Sequence, residues 1–151
     1  MIIREYRESD CKQAAELFLC TVHTVNAKDY SAEQLDAWAP KSIDLEAFNR
    51  SLLLHFSLVA LKGGAVIGFG DIDESGYLDR LYVHRDYQGR GVASELCRRL
   101  ESRYKVKKIV THASITAKPF FEKRGYKALK RQEVERRGVL LTNYVMEKIL
   151  T

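Results

Sequence analysis

Apolar positions recur along the chain with two alternating periods. Ile2–Tyr6 predicts an opening strand. Beyond a capping Ser9 or Asp10, Ala14, Leu17, Phe18 and Thr21 fall on one face at helical spacing. Ser31 and Gln34 form a capping pattern ahead of Leu35 and Trp38, and Pro40 stops that helix. Leu45–Leu54 predicts a further short helix. The period then shortens: Ser57–Leu61, a Lys62-Gly63-Gly64 turn and Ala65–Asp71 predict a hairpin, and Tyr77–Val83 adds a third strand. Gly91–Arg103 returns to helix, with Ala93, Leu96, Cys97 and Leu100 on one face. Lys107–Ala113 is a strand rich in β-branched residues. A short helix from Thr116 to Arg124 tolerates Pro119 in its first turn and ends at Gly125. Tyr126–Glu135 and Val139–Lys148 close the chain as a hairpin through Arg137-Gly138. The order β-α-α-α-β-β-β-α-β-α-β-β predicts one α/β domain over residues 1–151, built on a mixed sheet.

Composition narrows the class. With 151 residues, 46% hydrophobic and 30% charged, the chain is long enough to bury a core without a metal or disulfide staple. Cys11, Cys20 and Cys97 show no C-x-x-C spacing, so neither a disulfide framework nor a metal site is expected. The apolar run Ser51–Leu61 is broken by His55 and is too short for a membrane span. The start, Met-Ile-Ile-Arg-Glu-Tyr-Arg, lacks the apolar core of a signal peptide, so a cytoplasmic protein is expected. Lys and Arg outnumber Asp and Glu by 25 to 20, mostly in the second half, a field that attracts phosphorylated ligands. No block of five like charges and no aromatic stacking platform accompanies it, which argues against nucleic acid.

The stretch Leu81-Tyr82-Val83-His84-Arg85-Asp86-Tyr87-Gln88-Gly89-Arg90-Gly91-Val92-Ala93 carries the chemistry. A strand runs into a loop with two glycines that opens directly into an amphipathic helix. Unpaired N–H groups and the helix dipole there favour an anion, and Arg90 can add a cation. A phosphate or pyrophosphate is the natural guest. The Gly-Lys-Ser/Thr ending of a Walker A loop and the third glycine of G-x-G-x-x-G are both missing.

Gln88-Gly89-Arg90-Gly91-Val92-Ala93 resembles the Gln/Arg-x-x-Gly-x-Gly/Ala signature of the GNAT N-acetyltransferase superfamily. Downstream, Ala113-Ser114-Ile115-Thr116-Ala117-Lys118-Pro119-Phe120-Phe121-Glu122-Lys123-Arg124-Gly125-Tyr126 is similar to that family's Ala-Ser-x-x-Ala-x-x-Phe-Tyr-x-x-x-Gly-Phe segment. The resemblance covers nearly the whole chain and is closest to the YafP-type branch of bacterial acetyltransferases. It implies a mixed, mostly antiparallel sheet with splayed central strands and helices on both faces. It also implies acetyl-CoA as co-substrate and a primary amine of a small molecule or peptide as acceptor. Backbone amides from Gln88 to Ala93 would hold the pyrophosphate, and Leu81, Tyr82 and Val83 would pair with the pantetheine arm. Ser114 and Phe121 would line the far side, and Lys123 or Arg124 would meet the adenosine 3′-phosphate. Family sheets often pair across subunits, so a homodimer is open.

Acetyl transfer needs a neutral amine and a donor at the thioester carbonyl, for which the N–H of Val83 or Tyr82 is the candidate. The family's usual acid is the tyrosine of the Phe-Tyr pair, where this chain has Phe121. Asp79 is the candidate base, sharing a strand and a parity with Leu81 and Val83; its alternative is an ion pair with Arg80 or a lysine. Tyr144 is an acid or base, or else a buried hydrogen-bonded tyrosine. His23 and Trp38 lie where the family binds its acceptor. A catalytically degenerate acyl-CoA-binding module, acting as a sensor or partner protein, is the alternative to an enzyme.

Overall fold

The computed structural model describes residues 1–151. Its strands are β1 (Ile2–Glu5), β2 (Phe56–Lys62), β3 (Ala65–Ile72), β4 (Tyr77–Val83), β5 (Lys108–Ser114), β6 (Lys127–Arg136) and β7 (Val139–Ile149). The helices are α1 (Cys11–Thr24), α2 (Ala32–Trp38), α3 (Leu45–Leu54), α4 (Val92–Glu101) and α5 (Lys118–Lys123). The element order agrees with the order expected from periodicity. Local detail differs at α1, where Asp10 does not cap the helix: its carboxylate turns back to accept from Arg4 and from the Arg7 amide. Ser31 and Gln34 do form the expected reciprocal box on α2.

The seven strands form one sheet in the order β1-β2-β3-β4-β5-β7-β6. Every neighbour pair is antiparallel except β4 with β5. That parallel pair matches at only two positions, Tyr77 with Val110 and Leu78 with Thr111. Beyond Leu78 the two strands part, and the sheet opens at its centre. Each half has its own antiparallel pairings, β1-β2-β3-β4 on one side and β5-β7-β6 on the other, so the opening leaves both halves laddered.

Helices cover both faces. On one, Leu96, Cys97 and Leu100 of α4 pack on Ile72, Leu78, Val83, Ile109 and Met146. Gly70 permits this approach: a Cβ there would lie 2.8 Å from the Arg80 carbonyl and 3.0 Å from Leu100. On the other face, Leu17 and Ala14 of α1 and Leu52 of α3 pack on Val59, Val66 and Phe69. A third cluster joins Val22, Tyr30 and Leu35 to Leu141 of the closing hairpin. No helix is long and apolar enough to cross a membrane.

Candidate active site

The opening between β4 and β5 leads into a cleft with two chambers. The first, about 390 Å³, lies on the α4 side and is lined by Leu81, Val83, Gln88, Gly91, Ala93 and Phe121 among others. The second, about 280 Å³, lies toward α2 and the β6–β7 hairpin. Trp38, Asp79, Tyr82, His112 and Ser114 line both and therefore form the throat.

At one end of the first chamber is an anion cradle. Gly89 (φ +70°) and Gly91 (φ +83°) adopt left-handed backbone that other residues rarely take. None of the backbone N–H groups from Gly89 to Ser94 has an acceptor within the protein; Glu95 is the first to find one, the Gly91 carbonyl at 3.0 Å. Adding a Cβ at either glycine meets nothing within 4 Å, so both glycines border open space. Six free donors at a helix N-terminus fit a pyrophosphate. Gln88 fixes the loop by donating its side-chain amide to the Val83 carbonyl at 2.6 Å. Arg90 stacks over the Tyr87 ring at 5.5 Å.

The free edge of β4 has a defined parity. Arg80 N donates to Asp71 and His84 N to the Ile67 carbonyl, so the even-numbered amides face β3. Alternation turns Tyr82 N–H the same way and leaves Leu81 and Val83 facing the gap. Of the three strand residues expected at the pantetheine arm, Leu81 and Val83 offer backbone, whereas Tyr82 offers its side chain. That ring packs on Phe18 and Phe69, and its hydroxyl accepts from Trp38 Nε1 at 3.2 Å. Burial raises the Tyr82 pKa, so the phenol stays neutral.

Asp79 reaches the throat by an irregularity that the sequence does not advertise. Asp71 pairs with Arg80 but Ile72 pairs with Leu78, which leaves Asp79 as the extra residue of a β-bulge. The expected parity with Leu81 and Val83 is therefore broken: carboxylate oxygens of Asp79 and Asp71 and a ring nitrogen of His55 all lie within 4.8 Å. Nor is Asp79 paired with Arg80 by a salt bridge. Arg80 is committed to the fully buried Asp71, with its Nε 3.1 Å from both carboxylate oxygens, while His55 Nδ1 donates to the same group at 2.8 Å. Asp79 is open to the cleft but ringed by protein elsewhere. That desolvation, reinforced by the Asp71 charge, raises its pKa, against the pull of Arg80 and His55.

The remaining expected residues divide. Trp38 and Ser114 line the throat, the latter accepting from Ala117 N at 3.0 Å and Asn26 Nδ2 at 3.5 Å. Phe121 lines the first chamber, buried edge-on between Phe120 and Tyr126. His23 is outside the cleft; its Nε2 donates to the Ala39 carbonyl at 2.7 Å and clasps α1 to the end of α2. Tyr144 also lies outside, with Lys118 of α5 above its ring at 5.2 Å. Arg124 is spent on Glu101 at 2.6 Å, which leaves Lys123 as the free cation of that pair. Asn26, His112, Arg136 and Asn143 line the cleft without having been singled out, because each comes from a segment distant in sequence.

A sheet opened at one parallel pair, with an anion cradle at one end of the gap and a carboxylate at the other, defines a domain that carries a long phosphorylated donor through its middle to an acceptor. A family model for the acetyltransferase (GNAT) domain matches residues 26–148, and the chain belongs to that family of N-acetyltransferases. It is 37% identical over 144 residues to Escherichia coli K12 YafP, described as an uncharacterized N-acetyltransferase, across 95% of this chain and 93% of that one. A GCN5-related N-acetyltransferase from Rhodopseudomonas palustris superposes with a TM-score of 0.94 at 35% identity, covering 99% of this chain and 95% of that one. The fold is also shared with PaiA N-acetyltransferase of Thermoplasma acidophilum, solved with coenzyme A, at TM-score 0.77, 18% identity and coverage of 99% and 98%. YncA of Salmonella typhimurium, solved with acetyl-CoA, gives TM-score 0.72, 20% identity and coverage of 100% and 94%.

Proposed function

We propose that the protein transfers an acetyl group from acetyl-CoA to a primary amine held in the second chamber. The observation that carries this reading is the continuity of the cleft from the free amides of Gly89–Ser94 to Asp79. Bound there, acetyl-CoA supplies an activated acyl group: a C–N bond forms as the C–S bond breaks, and the amine's proton ends on the thiol. Gly89–Ser94 hold the pyrophosphate, and the gap-facing backbone of Leu81 and Val83 pairs with the pantetheine arm. The N–H of Leu81, on the free edge two residues from Asp79, is the donor for the carbonyl oxygen. Asp79 accepts a proton from the acceptor's ammonium and frees its lone pair; its raised pKa suits a group that must both take and release that proton.

Thermal unfolding with and without acetyl-CoA tests this reading. Ligand at a hundredfold excess over its Kd adds about 2.7 kcal/mol, roughly 5–10 °C for a domain of this size. That shift is expected in the wild type and absent in Gly91→Glu, which sets a negative charge in the cradle. No shift at millimolar acetyl-CoA refutes the proposal. A shift without transfer to any amine supports instead an acyl-CoA-binding module, the reading that the missing hydroxyl at Phe121 would favour.

A further inference from the structure

The second chamber has an aromatic wall made by Phe18, Tyr30, Trp38, Tyr77 and Tyr82. Only three of its lining side chains carry full charge: Asp79, Arg80 and Arg136. Arg80 is neutralised by the buried Asp71. Arg136 has no carboxylate within 4.0 Å, and its recorded contact is the neighbouring Glu135 carbonyl at 3.1 Å. The first chamber offers no lysine or arginine at all. The cleft therefore holds one unpaired cation, at the end of β6, opposite one carboxylate at the throat.

Arg136 is also well mounted. It pairs with Val139 across the β6–β7 turn, and the next residue, Arg137, donates to the Ala37 carbonyl at 2.7 Å, which fastens the hairpin tip to α2. Asn143 shares the chamber. Its Oδ1 accepts from Gln132 at 2.9 Å, so its amide N–H groups remain to donate to an anion.

We infer that the acceptor is a zwitterion, a small molecule that carries its primary amine and a carboxylate on one apolar or aromatic body. The amine meets Asp79, the carboxylate meets Arg136 and Asn143, and the body lies on the aromatic wall. This rests on the reading of the cleft as an acetyl-transfer site. A plain monoamine would leave Arg136, a solvent-exposed cation on the rim of the chamber, without an anionic partner from the ligand, and a site that pairs a group favours ligands that carry it over analogues lacking it. A carboxylate brings two acceptor oxygens that match the guanidinium fork.

The test uses amine pairs that differ only by a carboxylate: L-phenylalanine with phenethylamine, and L-leucine with isoamylamine. Steady-state KM for each acceptor is measured at saturating acetyl-CoA, alongside calorimetric titration of acetyl-CoA. The amino acid of the preferred pair is expected to show a KM roughly 10- to 100-fold below that of its partner amine, the range for one charge-assisted contact. Arg136→Gln is expected to collapse that ratio, Arg136→Lys to restore part of it, and Lys130→Gln, on the same strand outside the chamber, to leave it unchanged. Equal KM values within each pair, or a ratio untouched by Arg136→Gln, overturn the zwitterion while leaving acetyl transfer standing. Transfer to none of the four, with acetyl-CoA bound, overturns both.

Discussion

Trp38 Nε1 donates to the Tyr82 hydroxyl at 3.2 Å, and this bond ties α2 to the strand that borders the gap. Both side chains line the throat, so one contact sets the wall of the proposed acceptor chamber against the strand proposed to meet the donor. Trp38→Phe removes the donor and keeps most of the apolar surface. The expected outcome is a higher acceptor KM with an acetyl-CoA Kd unchanged within about twofold, at a stability cost of about 1 kcal/mol. Steady-state kinetics and calorimetry separate the two ligands.

Asp79→Asn removes the proposed base but keeps the size of the side chain. The expected loss in kcat is about 10²- to 10⁴-fold, with acetyl-CoA binding retained. In the wild type the acid limb of kcat/KM should fall above the ordinary aspartate range, because the carboxyl pKa is raised; in the variant that limb disappears. The stability effect has the opposite sign. A raised folded pKa means that ionising Asp79 costs stability as pH rises through it, so the variant should unfold no earlier than the wild type at pH 7. A less stable variant with an intact acid limb would contradict both statements.

Arg80→Met strands Asp71, which is fully buried, with His55 as its one remaining side-chain hydrogen-bond partner. Breaking a buried pair in this way costs about 3–5 kcal/mol. Adding Asp71→Asn removes the orphaned charge, so the double variant should be more stable than Arg80→Met alone. A urea-melt double-mutant cycle reads the coupling.

Glu101, the last residue of α4, is buried and accepts from Tyr126 and Arg124 at 2.6 Å each. Burial opposes its charge, but these two donors prevail and hold its pKa below the glutamate value of 4.5. A depressed carboxyl pKa contributes stability above the unfolded value and loses it as pH falls through the folded one. Melting temperature should therefore drop below roughly pH 4.5, and this part of the drop should vanish in Glu101→Gln.

Cys97 packs beside Glu101, where burial and that negative charge push its thiol up to about 12. Cys11 and Cys20 are half-buried. Iodoacetamide at pH 8 should label those two in the folded protein and reach Cys97 only after unfolding, counted by intact mass.

The elements were legible because each obeys a local rule. Ser31 and Gln34 cap α2 as their spacing requires, Pro119 sits in the first turn of α5, and the two-glycine loop opens α4 with its amides free. These are properties of a few consecutive residues, so the fold class and the shape of the two-glycine loop proposed to hold the donor could be read from the chain. Asp10 shows the limit: it has the composition of a cap, but Arg4 lies close enough in space to claim it.

The proposed acceptor end was decided in three dimensions. The side that Asp79 faces depends on a single bulge, and a shift of one residue in register exchanges the two faces of a strand. Which cation is free depends on pairings across the sheet: Arg80 is neutralised by Asp71 on β3 and Arg124 by Glu101 on α4, whereas Arg136 has no carboxylate within reach. Tyr144 and His23, chemically suited to the cleft, are turned to neighbours outside it. Local sequence specifies what a segment can do; only the packing of distant segments settles which groups remain unpaired, and those unpaired groups are the ones available for chemistry.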